Sequence, residues 1–312
     1  MIENNQAQKR ATDRSLRQRM VFVLRPVLIV IVVMLTVVPF VLGVIFIRAL
    51  TASGGCGGDG DPTVFNLPYE DVAFNSSAFN TPIRAFFIPG DNGVTLIFPP
   101  TGSSGRGNWM HEIEVVHKHG YSVLSYESRS CMGQVLSLGY TEVTEVGDAL
   151  AYLATRQDVD MEKIGIHGFS TSGATAIMAG ARYPELKAVL AEGGYHDFSE
   201  HLHNNVQAEW QGFGFLYEWG VQIGYRLTTG YDISVLSPVS AIGQIAPRPV
   251  LLIYGTNEPS FYGAHLQLAA AGENAQLWEV PGATHGSYLF TAPEEFEQRV
   301  IAFYDSAFNI RR

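Results

Sequence analysis

The hydrophobic pattern divides the chain near residue 50. Val27 to Ile47, VLIVIVVMLTVVPFVLGVIFI, is 21 residues without a charge. At about 1.5 Å per residue a helix of that length spans about 31 Å, enough to cross a bilayer core. Pro39 and Gly43 lie within the run, and both residue types are tolerated in membrane helices. Beyond residue 60 the apolar runs are short. They predict strands over 69–75, 81–89, 94–98, 121–126, 164–167, 186–192, 249–254 and 276–280. Between them the spacing predicts helices over 109–119, 141–156, 174–181 and 294–308, with Val143, Val146, Ala149, Leu150 and Leu153 on one face of the second. Strands alternating with helices imply an α/β fold: a mostly parallel, eight-stranded sheet with helices on both faces.

Charge sharpens the division. Residues 1–50 carry seven Lys/Arg and two acids, leaving 13 basic and 28 acidic residues in the remainder, a net charge of about −15. An acidic body argues against a nucleic-acid partner. The basic cluster Lys9–Arg25 precedes the apolar run, and Asp59 and Asp61 follow it. The positive-inside rule then puts the N-terminus in the cytoplasm and the body outside. A cleaved signal peptide has a shorter apolar region, so the run reads as an uncleaved single-pass anchor. The expected organisation is a cytoplasmic tail over 1–20, a transmembrane helix over 21–50, a Gly-rich linker over 51–66 and one domain over 67–312. Ala52 to Asp61, ASGGCGGDGD, is expected to be a flexible tether. It holds Cys56; Cys131 is the other cysteine. A disulfide and two separate thiols both fit, and the sequence does not choose between them.

The chemistry centres on Lys163–Ala176, KIGIHGFSTSGATA, which reads as strand, sharp turn and small-residue helix with Ser170 at the corner. Small neighbours let strand and helix approach while the serine oxygen stands clear at a helix N-terminus. The pattern departs from G-x-S-x-G in having Ser172 at the fifth position, with Gly173 following. A serine hydroxyl needs a base, and the base needs an orienting carboxylate. His285 stands in a small-residue turn after the last strand, and Glu258 after the strand before it. Asp197 and Asp232 are weaker acid candidates. His196, His201 and His203 match no metal spacing and read as cap surface; His167 reads as a core histidine. No metal or cofactor is implied.

On these residues, 69–312 resembles the α/β-hydrolase superfamily, most of all exported or membrane-anchored esterase/lipase and dienelactone-hydrolase-like enzymes. The segments Tyr121–Gly133, Pro249–Gly255 and Gly282–Gly286 match its arginine-bearing, acid-bearing and His-bearing segments. The resemblance implies Ser170 as nucleophile, Glu258 as orienting acid in place of the commoner aspartate, and His285 as base. It implies an oxyanion hole from the amides of Thr171 and Thr101, the latter because Pro99 and Pro100 have no amide hydrogen. The aromatic-rich stretch 195–246 is expected to be a helical cap over an apolar pocket. The expected partners are a small ester or acyl substrate and the lipid bilayer. A peptidase, thioesterase or acyltransferase on the same residues, and a non-catalytic hydrolase-like binding domain, are the alternatives.

Overall fold

A computed structural model describes residues 2–57, 60–210 and 214–311. Asp59 of the linker and Phe213 of the cap aromatics lie outside the described residues. The apolar run sits inside one long helix, α1 (Ile2–Thr51), which begins well before the expected span of 21–50. The preceding Ala, Gln, Lys and Arg residues are good helix formers, so nothing ends the helix at the start of the apolar run.

Eight strands follow: β1 (Glu70–Asn75), β2 (Pro82–Ile88), β3 (Thr95–Phe98), β4 (Ser122–Tyr126), β5 (Ile164–Phe169), β6 (Leu186–Glu192), β7 (Val250–Gly255) and β8 (Ala275–Val280). Their spatial order is β1-β2-β4-β3-β5-β6-β7-β8. β2 is antiparallel to both β1 and β4; every pairing from β4 to β8 is parallel. This is the α/β-hydrolase arrangement, with all six parallel strands ending at one rim.

The helices are α2 (Met110–His117), α3 (Glu142–Leu153), α4 (Thr171–Arg182), α5 (Phe198–Trp210), α6 (Gly214–Thr229), α7 (Pro238–Ala241), α8 (Phe261–Ala271), α9 (Tyr288–Thr291) and α10 (Pro293–Phe308). The strands are buried on both faces and feed two cores. Along β7, Val250, Leu252 and Tyr254 join α3, α4 and α8, while Leu251 and Ile253 join α2 and α10. Each large aliphatic side chain so buried contributes about 1.5–3 kcal/mol. Helix α8 has no counterpart among the helices read from the sequence. FYGAHLQLAAA is apolar at so many positions that no helical period stands out.

A third core joins α1 to α5 and α6. It runs from Ile47 of α1 through Val221 and Tyr225 of α6 and Phe198, Leu202 and Val206 of α5 to Ala174 of α4. Pro39, Gly43, Ile47 and Thr51 are all buried, a stripe at four-residue spacing on α1. The two helices touch backbone to backbone. A Cβ on Gly43 would lie 2.2 Å from the Tyr217 carbonyl oxygen, and one on Gly220 would lie 2.1 Å from that of Phe40. Glycine is required at both positions by this approach, as in membrane helix pairs.

The glycine-rich stretch expected to be a flexible tether is held to the domain at several points. Leu136 N–H donates to Thr51 O (3.0 Å), Gly57 N–H to Ser103 O (3.0 Å), and Ser130 Oγ to Gly55 O (3.2 Å). Cys56 and Cys131 are disulfide-bonded, which selects one of the two states the sequence left open.

Candidate active site

Ser170 occupies the corner between β5 and α4 at φ 56° and ψ −122°, a conformation L-residues rarely adopt. The turn is locked from several sides. Ser170 N–H donates to Glu192 O at 2.7 Å. Ser172, standing where the usual pattern has glycine, is fully buried; its hydroxyl donates to Phe169 O (2.8 Å) and accepts from Phe169 N–H (2.9 Å). Gly168 admits no side chain, since a Cβ there would lie 2.1 Å from Ser172 O. A Cβ on Gly173 would come within 3.0 Å of Glu192 O, so that glycine lets α4 pack against β6.

The structure brings Ser170, His285 and Glu258 together. His285 Nε2 lies 3.0 Å from Ser170 Oγ, and His285 Nδ1 lies 2.8 Å from Glu258 Oε2. The carboxylate is buried and the imidazole partly open to solvent. Glu258 is held by two further donors: Gly255 N–H to Oε1 (3.1 Å) and the Tyr288 hydroxyl to Oε2 (2.7 Å). Burial and the neighbouring Glu258 push the Tyr288 phenol well above its ordinary range, so it stays a donor. The Phe169 ring packs 4.7 Å from the imidazole, centre to centre. Behind it sits Gly193 at φ 59°, where a Cβ would meet Tyr288 Oη at 2.2 Å and His285 Nδ1 at 3.0 Å.

Thr171 and Thr101 also meet. Their hydroxyls are 2.9 Å apart, and Gly102 N–H donates to Thr171 Oγ1 (3.1 Å). The Thr101 amide donates to Ser104 Oγ (3.1 Å). The Thr171 amide is the first of α4, a position with no intrahelical acceptor. Around Ser170, Thr171 and His285 lies a cavity of about 340 Å³. Tyr195, Phe198, His201, Asn205 and Pro259 form its walls.

Tyr288, Phe169 and Gly193 were not anticipated as site residues. The Gly193-Gly194 pair directly after β6 was the one available sequence signal. Asp197 and Asp232 turn out to be caps: Asp197 accepts from Glu200 N–H and Asp232 from Ser234 N–H, both at 3.0 Å. The three cap histidines diverge. His196 is buried, His203 pairs with Glu218 (3.1 Å), and His201 faces the cavity rather than the cap surface.

Beneath the elbow, His167 Nε2 and Glu192 Oε1 are 2.5 Å apart and buried. Burial pushes the Glu192 carboxyl up to about 8 and the His167 imidazole down to about 3. Between these values the pair is neutral, with the carboxylic acid donating to the imidazole. Glu112 on α2 faces the pair and is itself pushed up to about 7, by burial first and Glu192 second. The folded state thus holds a proton on Glu192 that the unfolded chain, with its ordinary value of 4.5, releases. That contribution to stability is full below about pH 4.5 and gone above about pH 8. The wild type should lose stability relative to Glu192→Gln by about 1 kcal/mol per pH unit across this window. Unfolding midpoints measured in parallel from pH 5 to 8 check it; curves that stay parallel reject a protonated Glu192.

Comparison with known proteins agrees with this architecture. Residues 135–311 match the prolyl oligopeptidase family, peptidase family S9. The Arabidopsis thaliana alpha/beta hydrolase domain-containing protein WAV2 is 26% identical over 268 residues, covering 78% of this chain and 81% of WAV2. Among solved structures, the Pyrococcus furiosus esterase Pf2001 superposes with a TM-score of 0.65 at 21% identity, covering 82% of this chain and 98% of that one. The Pseudomonas aeruginosa protein PA2218 superposes at 0.60 with 19% identity, covering 77% and 94%. More than half of the chain matches the family and the fold agrees over 82% of it, so the protein belongs to the prolyl oligopeptidase family of α/β-hydrolase-fold serine hydrolases.

Proposed function

We propose that this chain is a membrane-anchored hydrolase that cleaves carboxylic esters through Ser170, His285 and Glu258. The observation that carries this reading is the continuous hydrogen-bond path from Ser170 Oγ through the imidazole of His285 to the buried Glu258 carboxylate. His285 takes the serine proton as Ser170 Oγ attacks the acyl carbon, and Glu258 stabilises the imidazolium. The tetrahedral oxyanion is met by the Thr171 amide and by the Thr101 amide, which exchanges its bond to Ser104 Oγ for one to the substrate. His285 then gives the proton to the leaving alcohol, and the imidazole activates water to release the acyl group. The Phe198, Tyr195 and Pro259 walls suit an aliphatic or aromatic acyl chain.

A peptidase reading is favoured by the family description alone. The two are separated by giving the full chain, in detergent, a short p-nitrophenyl ester and the matching p-nitroanilide. A fluorophosphonate probe should label Ser170, located by peptide mapping, and the ester should turn over faster than the anilide. An unlabelled serine would reject catalysis and favour a binding domain; a faster anilide would favour the peptidase.

Within α1, Met20–Thr51 is long and apolar enough to cross a bilayer, with an 18-residue stretch of mean hydropathy 3.1. Its interlock with α6 supports an anchor that is retained, because cleavage would strip the cap of a packed neighbour. The basic N-terminal side supports a cytoplasmic tail. The Cys56–Cys131 bridge supports an oxidising compartment for the domain.

A further inference from the structure

The anchor does not leave the domain as a bare stalk; it leaves with a second helix along its side. Gly220 of α6 abuts Phe40 and Val44 of α1, and Gly224 abuts Val44 and Ile47. The two helices therefore run in the same direction with a nearly constant offset. The α1 residues involved belong to the last ten of the uncharged run, which cover about 15 Å, half of a bilayer core. The N-terminal part of α6 lies at that same depth.

Its outward surface fits that depth. Phe215, Trp219, Ile223 and Leu227 recur every four residues and are 56%, 59%, 41% and 78% exposed. They continue the exposed apolar surface of α1 at Val41, Leu42, Ile45 and Phe46. In a water-facing helix such a stripe would be costly and unusual. The two charges of α6 fall where a membrane would tolerate them. Glu218 is largely covered and paired with His203 of α5 at 3.1 Å. Arg226, by the same offset, falls level with about the Arg48 that ends the apolar run of α1.

We infer that α6 is a second membrane-embedded element, lying among the phospholipid acyl chains of the leaflet nearest the domain, with α1 beside it. The inference rests on the reading of α1 as a membrane anchor. Its consequence is a cap seated in lipid: α5, which walls the cavity beside Ser170, packs on α6 through the third core.

The test uses the full chain in phosphatidylcholine vesicles, with an environment-sensitive fluorophore on single cysteines replacing Met34, Trp219, Ile223 or Glu273. Circular dichroism on each variant selects those that fold as the wild type, and the two α6 positions serve as alternatives for each other. Acyl-chain-brominated phosphatidylcholine should quench the Met34→Cys, Trp219→Cys and Ile223→Cys labels at least twofold. The Glu273→Cys label, on the exposed turn before β8, should respond only to aqueous iodide. Quenching by brominated lipid at Met34→Cys alone, with the α6 labels reached by iodide or shielded from both agents, overturns the inference and leaves the anchor standing. An unquenched Met34→Cys label overturns both.

Discussion

Ser170→Ala should lower ester turnover by about 10⁴-fold or more, with the change in kcat and little change in KM. The alanine keeps the strained corner, since the backbone is held by Ser170 N–H to Glu192 O and by the buried Ser172 hydroxyl, so the loss is chemical rather than structural. His285→Ala should cost about as much, and the double variant little more than either, because a nucleophile without its base contributes nothing further. Glu258→Gln should leave the geometry in place and still cost about 10⁴-fold, since an amide cannot hold the imidazolium. Steady-state kinetics on the full chain, with unfolding midpoints beside them, measure all four. Additive losses, or a Ser170→Ala enzyme as fast as wild type, would remove the proposed mechanism.

Arg129→Ala should destabilise the fold by about 3–5 kcal/mol. The guanidinium lies under the loop after β4, its Nε 3.0 Å from Glu145 Oε1, with Glu145 fully buried and Arg129 nearly so. Arg129 Nη1 donates a hydrogen bond to Thr141 Oγ1. Burial, with Glu142 and Asp148 nearby, pushes the Glu145 carboxyl well above its ordinary range, and Arg129 is the opposing influence. Without the arginine, the buried carboxyl must either remain charged in an apolar surrounding or take up a proton. Both are unfavourable near neutral pH. Replacing both partners, Arg129→Met with Glu145→Leu, should recover most of the loss, because the desolvated charges disappear together. Equilibrium unfolding of the four species forms a double-mutant cycle. A single Arg129→Ala loss below about 1 kcal/mol would mean the pair is not desolvated as the structure has it.

The strands were legible because most are short apolar runs bounded by glycine, proline or asparagine. The limits of β6 agree at both ends. The elbow was legible because a serine at positive φ needs small residues on both sides. Glu258 and His285 stood out through position alone, each just beyond a buried strand, and the sheet carries them to one rim. Tyr288 was not legible, since a tyrosine beside a histidine announces nothing until the turn at Gly286 folds its hydroxyl onto Glu258. The Thr101 amide looked available from the two prolines before it; only the folded loop shows it bonded to Ser104.

What the sequence determined by itself is local: the period of the apolar positions, the length of the uncharged run, and the small residues that permit a sharp corner. These depend on neighbours in the chain. The tertiary structure decided what depends on partners distant in the chain. Gly43 sits in the apolar run and Gly220 in the cap, 177 positions later, and neither has a reason to be glycine alone. Each becomes necessary only when the other helix lies against it, because a Cβ at either position would collide with the backbone of the facing helix. In the same way Cys56 became a fastening rather than part of a loose tether when the loop after β4 brought Cys131 to it.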